Sequence, residues 1–111
     1  MTKVRIDEVA HRVSISGHSG YASAGQDIVC AGISSLAWAL AATLSKERML
    51  LIVTETDGDM EIKYTGGAEP YLDMFRVGIS LISAKYPENL ILVQGRNLTD
   101  ESVIIEEKEV V

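Results

Sequence analysis

Of the 111 residues only one is a cysteine, one a tryptophan and two are prolines. A single thiol, Cys30, cannot form an internal disulfide, so the disulfide framework of a small secreted domain is excluded. Basic side chains are outnumbered by acidic ones, 10 to 16, and the net charge of -6 repels nucleic acid phosphates and anionic lipid headgroups. Neither a nucleic acid nor a membrane is expected as a direct partner. The opening residues, Met1-Thr2-Lys3-Val4-Arg5-Ile6-Asp7, hold no apolar run followed by a cleavage site, so no signal peptide is expected. The longest apolar stretch, 28–44, is broken by Gly32, Ser34, Ser35 and Thr43 and reads as a buried helix rather than a membrane span. A free thiol stays reduced in the cytoplasm, which is the expected location. There is no Cys/His cluster at zinc spacing, no phosphate-cradling glycine loop ahead of a helix and no Gly-x-Ser-x-Gly elbow, so no metal or cofactor is expected.

What is present is an ordinary globular balance, 47% apolar and 23% charged, with no repeat or linker that would divide residues 1–111 into more than one domain. Val4 and Ile6, then Val13 and Ile15, alternate with polar neighbours and predict two strands around a turn at 8–10. Residues 17–26 carry three glycines and no apolar period and read as a mobile loop. Asp27 suits a helix N-cap, and Val29, Ile33, Leu36, Leu40 and Leu44 form one stripe of a helix over 28–45. Small residues along it, Ala31, Gly32, Ser34, Ala37 and Ala41, allow another element to approach closely. Two strands, 49–54 and 60–64, flank the turn Asp57-Gly58-Asp59. Pro70 suits the first position of a second helix, with Leu72, Phe75, Ile79 and Ile82 as its stripe and Pro87 beyond its end. Met74, Gly78 and Leu81 add a second apolar strip, which implies burial on two sides. A strand over 90–93, a weak edge strand over 102–105 and an acidic tail from Glu106 complete the chain. The order ββαββαβ predicts an α+β fold, two helices packed on a mostly antiparallel sheet.

Cys30 falls in the first turn of the first helix, where the positive end of the helix dipole favours a thiolate, the reactive form of cysteine. His18 lies twelve residues earlier, in a glycine-rich loop able to fold back onto that turn. A thiol and an imidazole within hydrogen-bond reach are the minimum for thiol nucleophilic catalysis. At about 100° per residue, Asp27, Cys30 and Ser34 share one flank of the helix. Each residue also has a plainer reading. A lone cysteine in an apolar helix is often a small buried hydrophobe, His18 a solvated loop residue, and Ser34 a donor to the carbonyl four residues back. Asp27 either caps its helix or orients His18; the residues alone leave both open.

The segment 17–34, GHSGYASAGQDIVCAGIS, resembles the ribosomal-processing cysteine protease family, Prp. The resemblance rests on Gly17-His18, a short loop, then Gly25, Asp27-Ile28-Val29-Cys30-Ala31 and Ser34, with chain length and element order similar as well. It implies a cysteine endopeptidase with Cys30 as nucleophile and His18 as general base, Asp27 and Ser34 supporting, and Gly17, Ser19, Gly20 and Gly25 in the substrate loop. The implied substrate is the N-terminal extension of large-subunit ribosomal protein L-twenty-seven, cut after a phenylalanine during ribosome maturation. A homodimer is also implied. Ser19 departs from the pattern, which often has alanine there, a change expected to alter only loop polarity. A non-catalytic dimeric interaction protein and a redox-sensing thiol protein of the same fold are the alternatives.

Overall fold

The structure, a computed structural model, describes residues 1–23 and 25–95. The expected strand at 102–105 and the acidic tail lie outside them. The elements are β1 (Thr2–Asp7), β2 (Arg12–Ser16), α1 (Ile28–Lys46), β3 (Leu50–Thr56), β4 (Asp59–Tyr64), α2 (Glu69–Lys85) and β5 (Leu90–Gly95). They form one five-stranded sheet in the order β3-β4-β2-β1-β5. Every pairing is antiparallel except β1 with β5, which are parallel. The α+β expectation and its ββαββαβ order are met.

Alternation sets which face the helices cover. Val4 and Ile6 of β1, Val13 and Ile15 of β2 and Met60 and Ile62 of β4 are buried, while Arg5, Ser14 and Glu61 between them are half-exposed. The β1–β2 turn is closed by Asp7, whose Oδ1 accepts the backbone N–H groups of Val9 and Ala10 at 3.1 and 3.0 Å, an Asx turn. Against this face α1 lays Val29, Ile33, Ala37, Leu40, Ala41 and Leu44, and α2 lays Leu72, Phe75 and Ile79. Burying each of the larger side chains contributes roughly 2 kcal/mol. Although α1 is long and apolar enough to cross a bilayer, it is a core helix here.

Two expectations about the helices need correction. Leu36 is only partly buried; it leaves the sheet-facing stripe to Ala37 and Ala41 and turns towards α2. There it fills the space above Gly78, where an added Cβ would stand 2.8 Å from Leu36 Cδ1. Ile82 of α2 reaches back to Gly32 of α1, 3.3 Å from a Cβ placed there. A glycine on each helix thus receives a branched side chain from the other. The strip Met74, Gly78, Leu81 is therefore not one surface. Gly78 belongs to the helix–helix contact, while Met74 and Leu81 are 59% and 54% exposed.

Candidate active site

The first turn of α1 is built by Asp27. Its Oδ1 accepts the N–H of Cys30 at 2.8 Å, which caps the helix. The second oxygen is committed as well. Asp27 Oδ2 accepts the hydroxyl of Ser19 at 2.5 Å and the N–H of Ala22 at 3.3 Å, so no oxygen is directed at His18. Partial burial disfavours its charge, but the hydrogen bonds from Ser19, Cys30 and Ala22 outweigh that and lower its pKa from 3.8 to about 2.

Cys30 is half-buried on the flank of α1. Its Sγ receives the backbone N–H of Ser19 at 3.5 Å. Ser19 itself is almost fully buried, 1% exposed. Its hydroxyl donates to Asp27 and accepts from the N–H of Tyr21 at 3.2 Å, and its carbonyl accepts Asn89 Nδ2 at 3.0 Å. The expectation that Ser19 alters only loop polarity is corrected by this burial: the hydroxyl joins the loop to the helix cap.

His18 is exposed. Its ring rests over Gly58 in the β3–β4 turn, with Nε2 2.8 Å from where a Cβ on that residue would stand. Gly58 also has φ +81°, so glycine is required there both for the turn and for the imidazole. Gly17 is tied on either side, its N–H donating to Asp59 Oδ1 at 3.3 Å and its carbonyl accepting from Thr2 Oγ1 at 3.3 Å. No hydrogen bond joins His18 to Cys30 among the described residues; the ring leans on the hairpin.

His18, Cys30 and Ser34 line two cavities, one on either side of the thiol. The smaller, about 210 Å³, runs towards the sheet, with Ile15, Ile33, Ala37 and Met60 in its wall and Glu55, Gly58 and Asp59 from the β3–β4 hairpin at its edge. The larger, about 550 Å³, lies under the loop, walled by Gly20, Ala22, Gly25, Gln26 and the first turn of α1. A thiol at the junction of two clefts suits attack on a chain that passes through both. Of the expected site residues, the structure brings His18, Cys30, Ser34, Asp27, Gly17, Gly20 and Gly25 to these cavities, while Ser19 lines neither and meets the thiol through its N–H. Asn89 and Gly58 are additions. Gly58 was visible only as a turn residue, and nothing in the sequence pattern singles out Asn89.

The fold is shared with three crystal structures. A ribosomal processing protease Prp from S. aureus, in complex with a covalently linked product peptide, superposes with a TM-score of 0.72 at 21% identity, over 85% of this chain and 97% of that one. A structure of the S. aureus Prp with a substrate peptide gives 0.67 at 20% identity over the same shares. SMU.848 from Streptococcus mutans gives 0.64 at 24% identity, over 86% of this chain and 93% of that one. No curated protein matches the chain. The model of the family described as cysteine protease Prp matches residues 1–91, most of the chain's length, and the chain belongs to that family.

Proposed function

We propose that Cys30 is the nucleophile and His18 the general base of an endopeptidase that removes the N-terminal extension from ribosomal protein L-twenty-seven. The observation that carries this is the position of Cys30 in the first turn of α1, at the junction of two cavities that His18 also lines. His18 takes the thiol proton as Sγ attacks the scissile carbonyl carbon. The carbonyl π electrons move to oxygen, giving a tetrahedral oxyanion. Its collapse breaks the C–N bond, and the imidazolium returns the proton to the leaving amine. Water, deprotonated by the same imidazole, then cleaves the thioester and regenerates the thiol. For the first step the exposed His18 ring swings from Gly58 towards the sulfur, since a base acts only within hydrogen-bond reach. Asp27 supports the pair by capping α1, and Ser34 lines both cavities beside the thiol.

The apolar wall of the smaller cavity suits a large apolar residue next to the cut, such as the phenylalanine expected from the family resemblance. The reading carries with it the cytoplasm as location and the whole chain working as one domain. It also carries a second copy of the chain as partner, for which exposed Met74 and Leu81 on α2 offer apolar surface.

The test is turnover of a peptide spanning the extension, followed by mass spectrometry. Cys30→Ala is expected to show none, and His18→Ala to lose about 10²–10⁴-fold. Neither residue has a stand-in: the other histidine, His11, is stacked on Tyr64, and there is no second thiol. Turnover by folded Cys30→Ala overturns the assignment.

A further inference from the structure

The tetrahedral oxyanion formed at Cys30 needs hydrogen-bond donors aimed at it, and a common source is the nucleophile's own backbone N–H or that of the next residue. Both are occupied here. The N–H of Cys30 is held at 2.8 Å by Asp27 Oδ1, and the N–H of Ala31 donates to the Asp27 carbonyl at 3.1 Å. Asp27 therefore occupies both donors, one through its carboxylate and the other through its backbone carbonyl. What faces the sulfur instead is the backbone N–H of Ser19, arriving from the loop.

We propose that the Ser19 N–H is the oxyanion donor of this site, and that Asn89 is the positioning residue that aims it. This rests on Cys30 being the nucleophile. Ser19 is held at three points, none of which occupies its N–H. Its hydroxyl is taken by Asp27 and by the N–H of Tyr21, and its carbonyl by Asn89 Nδ2. Ser19 is 1% exposed, so this N–H has lost water as a partner, and it points at the sulfur that makes the new bond. When Sγ enters the new carbon–sulfur bond, the donor it held is released beside the new oxygen.

Asn89 is itself anchored. Its carbonyl accepts the N–H of Thr2 at 2.9 Å, and its N–H donates to the Tyr86 carbonyl at 3.0 Å. Tyr86 meets Tyr21 of the loop edge to face, ring centroids 5.3 Å apart. The turn between α2 and β5 thus grips the loop on both sides of Gly20, through Asn89 on Ser19 and Tyr86 on Tyr21. Its rigidity comes from the sheet, because Asn89 directly precedes β5, which pairs with β1.

Asn89→Ala and Asn89→Asp test this on peptide cleavage. Aspartate keeps the size of the amide and replaces its donor with an acceptor. Both variants are expected to lose about tenfold or more in kcat with KM within about twofold, since a donor that is loosened acts only on the charged intermediate. A peptide aldehyde, which forms a hemithioacetal on Cys30, is expected to bind more weakly by the same factor. A purely structural defect would instead lower the melting temperature and weaken binding of uncleaved peptide to the Cys30→Ala background. Should Asn89→Ala not fold, Asn89→Asp carries the same readings. The inference is overturned if folded Asn89→Asp keeps wild-type kcat, or if kcat falls while aldehyde affinity stays. Activity in Cys30→Ala would sink the nucleophile assignment, whereas fully active Asn89 variants beside an inactive Cys30→Ala sink this inference alone.

Discussion

The segment between β2 and α1 consists of two different structures joined at Ser19. Up to Ser19 it is tied to the fold: Gly17 is held by Thr2 and Asp59, and Ser19 is buried with its hydroxyl and carbonyl both bonded. Beyond Ser19, residues 20–23, 25 and 26 are exposed; Gly20, Ala22, Gly25 and Gln26 wall the larger cavity, and Tyr21 and Ala22 are tied back to Ser19, Tyr86 and Asp27. The glycine-rich segment is thus anchored unevenly, most firmly at Gly17 and Ser19. The contrast has a chemical sense. A donor that stabilises developing charge works best when it is already in place, while a wall over a peptide cleft must yield to let the chain in.

Asp27 gives the largest test of this contrast, because it joins the two halves. Asp27→Ala removes acceptors for Ser19, Ala22 and Cys30 together, so stability is expected to fall by about 2 kcal/mol, the upper end for a lost cap, with a still larger relative loss of activity. Asp27→Asn can keep the acceptor for Cys30 but turns an NH₂ towards the N–H of Ala22. It should retain most of the cap and fall between wild type and alanine in cleavage rate. Thermal melting and peptide turnover on both variants check this; an Asn variant as inactive as Cys30→Ala would move Asp27 from cap to catalysis.

A smaller effect separates the imidazole's seat from the open half. Gly58 and Gly20 both have positive φ, +81° and +75°, so alanine carries a similar backbone cost of about 1–2 kcal/mol at each. They differ in what the new methyl group meets: the His18 ring at Gly58 and nothing within 4 Å at Gly20. Gly58→Ala should therefore lower kcat/KM about tenfold beyond Gly20→Ala at equal melting temperature, by disturbing the seat from which the His18 ring swings to the sulfur. Equal activities would mean that the hairpin does not seat His18.

The smallest effect is in acid. Because the Asp27 pKa is lowered on folding, from 3.8 to about 2, its carboxylate stabilises the fold fully above the unfolded value. That contribution fades as pH falls towards 2. The difference in melting temperature between wild type and Asp27→Asn should thus be constant from neutral pH down to about pH 5 and shrink below it. A difference that persists unchanged at about pH 2 would show that the charge is not what the cap uses.

Local rules carried much of this structure. Alternation located β1, β2 and β4, the Asp27 cap placed the start of α1 at Ile28, and Pro70 fell within the first turn of α2. The segment 17–34 likewise contains both His18 and Cys30, the proposed pair, within one short stretch of chain. These features depend on neighbours in sequence, within one helical turn or one pleat, and are legible there. The rest depends on residues far apart in the chain. Leu36 turned from the sheet to α2 because Gly78, 42 positions later, leaves room for it. Ser19 is a load on the loop's polarity until Asn89, 70 residues away, and Asp27 close it in. The parallel pairing of β5 with β1 sets Asn89 beside that loop, and no periodicity encodes which turn a sheet edge will deliver to a thiol. Composition and spacing determined the elements, and the family resemblance pointed to His18 and Cys30 as candidates; the tertiary structure decided which donors face the sulfur, because hydrogen-bond geometry is fixed only once the sheet brings distant turns together.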